Sequence, residues 1–220
     1  MKFLKSFFTA IILLISIIAF SQTKTQSKPS INEAKKWIAE KLLSNAVGFE
    51  KTLSQPSLGR TDITTSKISN VTYDQINLVF EIAYTQNIYE KDRTREKSWT
   101  TTVTIPWTIF KSEKNSVFVN ADTLKPYKSS SFTVESKLYN ANYFLAFVSE
   151  GNQLTYTNSE VDVSQRWSNG DTDSKSEPAT TEKKSFLEFG FITQEDNIIQ
   201  RVKKAFSDLI TYNKSNKEAY

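Results

Sequence analysis

Two stretches carry the architectural reading: Gln75-Ile76-Asn77-Leu78-Val79-Phe80-Glu81-Ile82-Ala83-Tyr84 and Ser98-Trp99-Thr100-Thr101-Thr102-Val103-Thr104-Ile105-Pro106-Trp107. In the first, Ile76, Leu78, Phe80, Ile82 and Tyr84 fall on one side of a period-two repeat, with Asn77, Val79, Glu81 and Ala83 on the other. The second sets Trp99, Thr101, Val103, Ile105 and Trp107 against a row of Ser and Thr. Strict alternation marks strands with one buried face. Pro106 has no amide hydrogen for the ladder, so the second strand breaks or bends there.

On the C-terminal side, further strands are expected at 116–121, 131–139, 142–149 and 153–157. Val161, Val163 and Trp167 mark another, and 185–192 the last, with Leu187, Phe189 and Phe191 on one face. The segment 142–149 is apolar on both faces and is placed centrally in a sheet. Phe49 to Asn70 is weakly patterned and yields a short strand near 66–72. Ser168 to Lys184 is polar and contains Pro178, which reads as a mobile loop.

Helices flank this β-rich centre. Ser30-Ile31-Asn32-Glu33 forms a capping box, after which Ile31, Ala34, Ile38 and Leu42 recur at helical spacing until Gly48, giving a helix over 31–46. Near the C-terminus Thr193 is placed as a cap, with Glu195 and Asp196 at the positive end of a helix. Its apolar stripe is Ile198, Val202, Ala205, Phe206 and Leu209. The expected class is α+β: an antiparallel sheet or half-barrel of about seven to eight strands with a helix at each end.

Residues 1–21 read as a signal peptide. Lys2 and Lys5 precede the apolar run Phe7–Phe20, and Ala19 and Ser21 supply small residues for cleavage ahead of Gln22. The expected organisation is a flexible lead at 22–30, one domain at 31–212 and a flexible tail at 213–220. The destination is periplasmic or secreted, with no stable membrane anchor after cleavage.

Composition removes whole classes of chemistry. The 220 residues include no His, no Cys and a single Met. Ordinary zinc sites, haem, iron–sulfur clusters, disulfides and the Ser-His-Asp and Cys-His mechanisms are therefore excluded. The formal charge of +4 falls to +2 once the two leader lysines are removed, too small an excess for a nucleic-acid partner. Asn169-Gly170-Asp171-Thr172-Asp173 has Ser174 and Thr180 where a calcium loop needs Gly and Glu, so no metal is expected there. Glu81, Glu135, Asp162 and Glu188 lie on the polar faces of expected strands, and nothing in the pattern fixes two of them at a working separation.

The order helix, antiparallel strands, closing helix resembles a pleckstrin-homology-like domain. The closing segment Glu195-Asp196-Asn197-Ile198-Ile199-Gln200-Arg201-Val202-Lys203-Lys204-Ala205-Phe206 is similar in pattern to that of uncharacterised exported bacterial proteins. The resemblance covers residues 75–212 by architecture and implies a curved half-barrel plugged by the last helix. The helix-grip and lipocalin-type binding folds share this plan.

One basic run stands out. Lys91, Arg93, Arg95 and Lys97 recur every second residue, in phase with Trp99, Val103 and Ile105. A strand extended backwards would give its inward face a basic rim, suited to an anionic or amphiphilic ligand or an acidic protein partner, unless Glu90, Asp92 and Glu96 neutralise it. Trp99, Trp107, Phe144, Phe147, Phe189 and Phe191 are expected in the core. The functional expectation is an exported, non-enzymatic binding domain needing no cofactor. The alternatives are a carrier with an enclosed cavity for a lipid or small amphiphile, and a carboxylate-dependent hydrolase.

Overall fold

The long hairpin is the spine of the molecule. In the computed structural model, which describes residues 30–193 and 195–215, strands β4 (Asn77–Tyr89) and β5 (Arg93–Pro106) pair antiparallel along their whole length, from Asn77↔Pro106 to Tyr89↔Thr94. The inward rows are the expected ones except for Ile76, which lies exposed before β4 begins: Leu78, Phe80 and Ile82 on β4, and Thr101, Val103 and Ile105 on β5, are all buried. β5 ends at Pro106, and Trp107 donates from its backbone to the Ile76 carbonyl at 2.9 Å.

Fourteen strands lie in two antiparallel sheets among the described residues, with helices α1 (Ile31–Asn45) and α2 (Ile198–Ser215) at the two ends of the chain. The fold is α+β, and neither sheet closes into a barrel. The larger sheet adds β3 (Arg60–Tyr73), β2 (Phe49–Gln55), β8 (Thr133–Leu138) and β7 (Tyr127–Lys128) to one side of the hairpin. The smaller sheet orders β1 (Ala46–Val47), β14 (Phe186–Phe191), β9 (Tyr143–Val148) and β6 (Ser116–Asn120). β9 is an inner strand, in keeping with its two apolar faces.

The chain changes sheets at Gly48, between β1 and β2. A Cβ on this residue would stand 1.7 Å from the Ser66 carbonyl oxygen, so only glycine lets the two backbones approach this closely.

Beyond the other side of β5 the chain makes a second long hairpin. β10 (Leu154–Asn158) pairs with the C-terminal half of β5, and β11 (Val161–Trp167) with its N-terminal half. The steps from Thr101↔Asn158 to Ser98↔Asp162 leave one extra residue on the outer strand, a β-bulge. β12 (Thr172–Glu177) and β13 (Thr180–Lys184) then return along β11 and β10.

That return corrects the expected loop at 168–184, which is mostly strand. The outermost strand needs no apolar alternation: β12 is exposed along nearly all its length, and its polar side chains blunt the open edge. Asn169–Asp173 supplies the turn of this hairpin, where Gly170 has φ 93° and the Trp167 amide donates to the Asp171 carbonyl. β2 is a strand where the sequence was too weakly patterned to show one, and β3 is far longer than 66–72.

Two corrections concern α2. It begins at Ile198, so Thr193 is not its cap. The Ile192 amide is still tied to the Asn45 carbonyl at the end of α1, and the chain must turn through Asn197 (φ 59°) first. Residues 213–215 are helical rather than a flexible tail, because the Asn213 amide donates to the Trp107 and Phe110 carbonyls at 2.9 and 3.0 Å. The expected signal peptide at 1–21, the lead at 22–29 and the tail at 216–220 lie outside the described residues.

Among the described residues, Ile31–Ser215 form one compact unit around one apolar cluster, which both sheets and both helices enter. Its centre is aromatic. Phe80 stands 5.1 Å from Phe189 and 6.1 Å from Phe147 between ring centroids, and Phe206 of α2 stands 4.8 Å from Phe110 and 5.5 Å from Phe147. No helix among the described residues is long and apolar enough to cross a membrane.

Candidate functional site

The sheet is longer than the core beneath it. Past Ile82 and Val103 the inward faces of β3, β4, β5 and the outer hairpin run on beyond the main apolar cluster, and there they line an open groove of about 470 Å³. Directly opposed residues in an antiparallel pair share a face. Register therefore gathers Thr64 and Gln86, Tyr84 and Trp99, Thr101 and Asn158, and Tyr156 and Glu182 onto one floor. Val161 and Glu177 join them from the distal half of the outer hairpin.

Tyr84 and Trp99 stack, with centroids 5.2 Å apart and planes 13° from parallel. Trp99 thus lines the groove and is only partly buried. The other five aromatics expected in the core (Trp107, Phe144, Phe147, Phe189 and Phe191) are buried. Tyr156 donates its hydroxyl to the Phe186 carbonyl at 2.7 Å, and Lys184 Nζ sits 4.6 Å from its ring centroid. Burial, and secondarily the charge of Glu188, pushes the Tyr84 phenol up to about 12. Burial likewise raises Tyr156, helped by Tyr84, Glu188 and Glu182. Both are neutral donors at any physiological pH.

The ionic groups of the groove are paired with one another. Lys97 donates to both oxygens of Glu177, at 2.9 and 3.2 Å, and this hydrogen bond is the main cause that holds the Glu177 carboxyl below its ordinary range. Lys184 meets Glu182 at 2.7 Å. The uncharged groups are different. The Thr64 hydroxyl, the Tyr84 hydroxyl, the Gln86 amide and the Trp99 indole NH have no hydrogen-bond partner among the described residues, and none is sealed from solvent.

The basic run lies at the distal end of the same face. β5 is continuous from Arg93, so Arg93, Arg95 and Lys97 are in phase with Trp99, whereas Lys91 is exposed in the turn before it. Glu90, at the end of β4, accepts from Arg93 Nε and, at 2.8 Å, from Arg95 Nη2, and lies 3.9 Å from Arg60. These guanidinium contacts, Arg93 first, hold its carboxyl low. Arg60 is gripped bidentately by Asp62 at 2.6 and 2.7 Å, which raises its own pKa. Arg93 also lies 5.3 Å over the exposed Trp167 ring. Asp92 and Glu96 form no ion pair among the described residues. One atom is left over: Arg95 Nε is buried with no acceptor.

The four carboxylates considered for catalysis sit on four different strands. Glu81, Glu135 and Asp162 are exposed, and Glu188 is partly buried beside Lys51 at 3.4 Å. Among the described residues no three His, Cys, Asp or Glu side chains are grouped to hold a metal ion.

The groove residues Thr64, Gln86, Tyr156 and Asn158 were not marked by the sequence reading. Gln86 had a signal, as it continues the inward phase of Leu78–Tyr84 with a neutral amide. Thr64 had none, because the bulge at Ser69, between Ile68↔Ile82 and Asn70↔Glu81, shifts the phase of β3. No family model, curated protein or solved structure matches the chain.

Proposed function

We propose that this protein is an exported binding module, without catalysis of its own, that holds its ligand on the open distal face of the large sheet. The observation that carries the reading is the Tyr84–Trp99–Tyr156 groove, where an aromatic floor with solvent-open hydrogen-bonding groups continues past the end of the core. Concave sites that combine aromatic surface with a few convergent polar groups are the usual form of a binding site. The core behind the groove is filled by Phe80, Phe110, Phe147, Phe189 and Phe206, which favours an open-face binder over a carrier enclosing a lipid. The leader at residues 1–21 supports export, and the mature chain would start at Gln22.

The test is to probe immobilised arrays of peptides and glycans with the wild-type protein and with Trp99→Ala. Signals that vanish in the variant while its melting temperature stays within a few degrees support the reading. Equal binding by both proteins, or no binding by either, overturns it.

The buried, acceptor-less Nε of Arg95 favours a second reading in which the partner also brings an anionic group to the Arg93–Arg95 end. Buried donors are rarely left without an acceptor. In that case Arg95→Gln should weaken array binding most at low ionic strength.

A further inference from the structure

The chemistry of the groove says which kind of ligand suits it. Its two cations and two carboxylates, Lys97 with Glu177 and Lys184 with Glu182, already satisfy each other. A charged ligand would have to compete with these pairs for its counter-charge, at a cost the partly exposed pairs keep modest. What remains open is uncharged: the Thr64 and Tyr84 hydroxyls, the Gln86 amide and the Trp99 indole NH. Thr64 and Gln86 are directly opposed across β3 and β4, and Tyr84 and Trp99 across β4 and β5, so the four form two adjacent cross-strand pairs. Hydroxyls and the amide can each donate and accept, whereas the indole only donates. Around them lie aromatic rings that favour C–H surface.

A ligand matched to this set is neutral, rich in groups that both donate and accept, and amphipathic over the width of a ring. Resting on the ring surface, it would keep its polar rim within reach of the four free groups. An extended peptide fits less well. The centre of the floor lies on the face of the sheet, where β3, β4, β5 and β10 are each paired on both sides, so main-chain pairing there is closed and the open edge is confined to β12 and β13 at the rim.

We infer that the groove over Tyr84 and Trp99 takes a neutral saccharide, held by Thr64, Tyr84, Gln86 and the Trp99 indole NH. This rests on the reading of the groove as the ligand site.

The experiment is calorimetric titration of the full mature chain with neutral oligosaccharides: cello-, malto-, manno- and chito-oligomers. It is run at about 0.01 M and about 1 M salt, between which the screening length falls from about 30 Å to about 3 Å. The expected result is binding of at least one series, with the dissociation constant changing less than about threefold between the two salts. Gln86→Ala and Trp99→Phe should each weaken it about tenfold, the loss of one good hydrogen bond. Trp99→Phe keeps an aromatic ring on the floor while removing the NH together with part of the indole area, and the near-isosteric Thr64→Val, which removes a hydroxyl without removing ring area, is the cleaner check should either variant fold poorly.

Binding that collapses in high salt, or that ignores Gln86→Ala, Trp99→Phe and Thr64→Val together, overturns the inference. If no oligosaccharide binds while array peptides bind in a Trp99-dependent way, the saccharide assignment fails and the groove remains the site. If the arrays are also silent, both readings fail.

Discussion

At the scale of single residues, the electrostatics are dominated by acids that the fold has recruited. Glu90 serves Arg93, Arg95 and, more distantly, Arg60, while Glu177 serves Lys97 and Lys175. Glu195 serves Lys41 and Arg201, and its carboxyl is lowered chiefly by the Lys41 hydrogen bond. Asp74 is lowered chiefly by the backbone amides of Asn77 and Ile76. Carboxyls whose folded pKa lies below the unfolded one stabilise the protein fully above the ordinary carboxylate range. They lose that contribution as pH falls through their folded values. Denaturant midpoints should therefore fall steadily from about pH 5 downward. Glu90→Gln should lower stability at pH 7 by on the order of 1 kcal/mol, since these pairs are partly solvent-screened. It should also flatten the acid limb. An acid limb identical to wild type would show that Glu90 is not among the groups responsible.

At the scale of elements, the outer hairpin is the test case. β10–β13 and β11–β12 share one register, from Leu154↔Lys184 to Arg166↔Thr172, interrupted only around Ser159–Glu160 and Pro178–Ala179. Ser159 ties that break to β5 through its backbone amide to the Thr100 carbonyl at 2.8 Å and its hydroxyl to the Thr100 amide at 3.0 Å. An edge strand directs its amides alternately to its neighbour and to solvent. Hydrogen exchange across Thr172–Glu177 and Thr180–Lys184 should accordingly alternate between protected and fast amides. Uniformly fast exchange over 168–184 would restore the mobile loop that the polar composition suggests.

At the scale of the whole molecule, core and groove are separable. Phe206 of α2 is buried against Phe110 and Phe147. Its replacement by Ala should lower stability by about 3–5 kcal/mol, the usual range for a buried aromatic truncated to Ala. Trp99 is partly buried beyond the core and stacks on Tyr84 alone among aromatic rings. Trp99→Ala should cost clearly less than Phe206→Ala, because it forfeits one aromatic pair, about 0.5–1.5 kcal/mol, and the area of a ring that is only partly buried. Urea titrations of the two variants give the comparison. A Trp99→Ala loss as large as that of Phe206→Ala would place the indole in the core and remove the reason for treating the groove as a site.

The elements whose burial is one-sided are legible in the chain alone. The β4–β5 hairpin, β14 and the stripe of α2 each carry an apolar period that only one secondary structure can bury. The chain alone also places Arg93, Arg95 and Lys97 in phase with Trp99, because period-two alternation survives along an unbroken strand. Whatever depends on which strands are neighbours comes from the folded chain. β12 and β13 are strands because β11 and β10 offer them partners, not because of anything in their own side chains. Glu177 neutralises Lys97 across 80 positions of chain, and the bulge at Ser69 brings Thr64 beside Gln86. A groove floor assembled from seven strands is a property of register. Local periodicity carries no information about register between segments far apart in the chain.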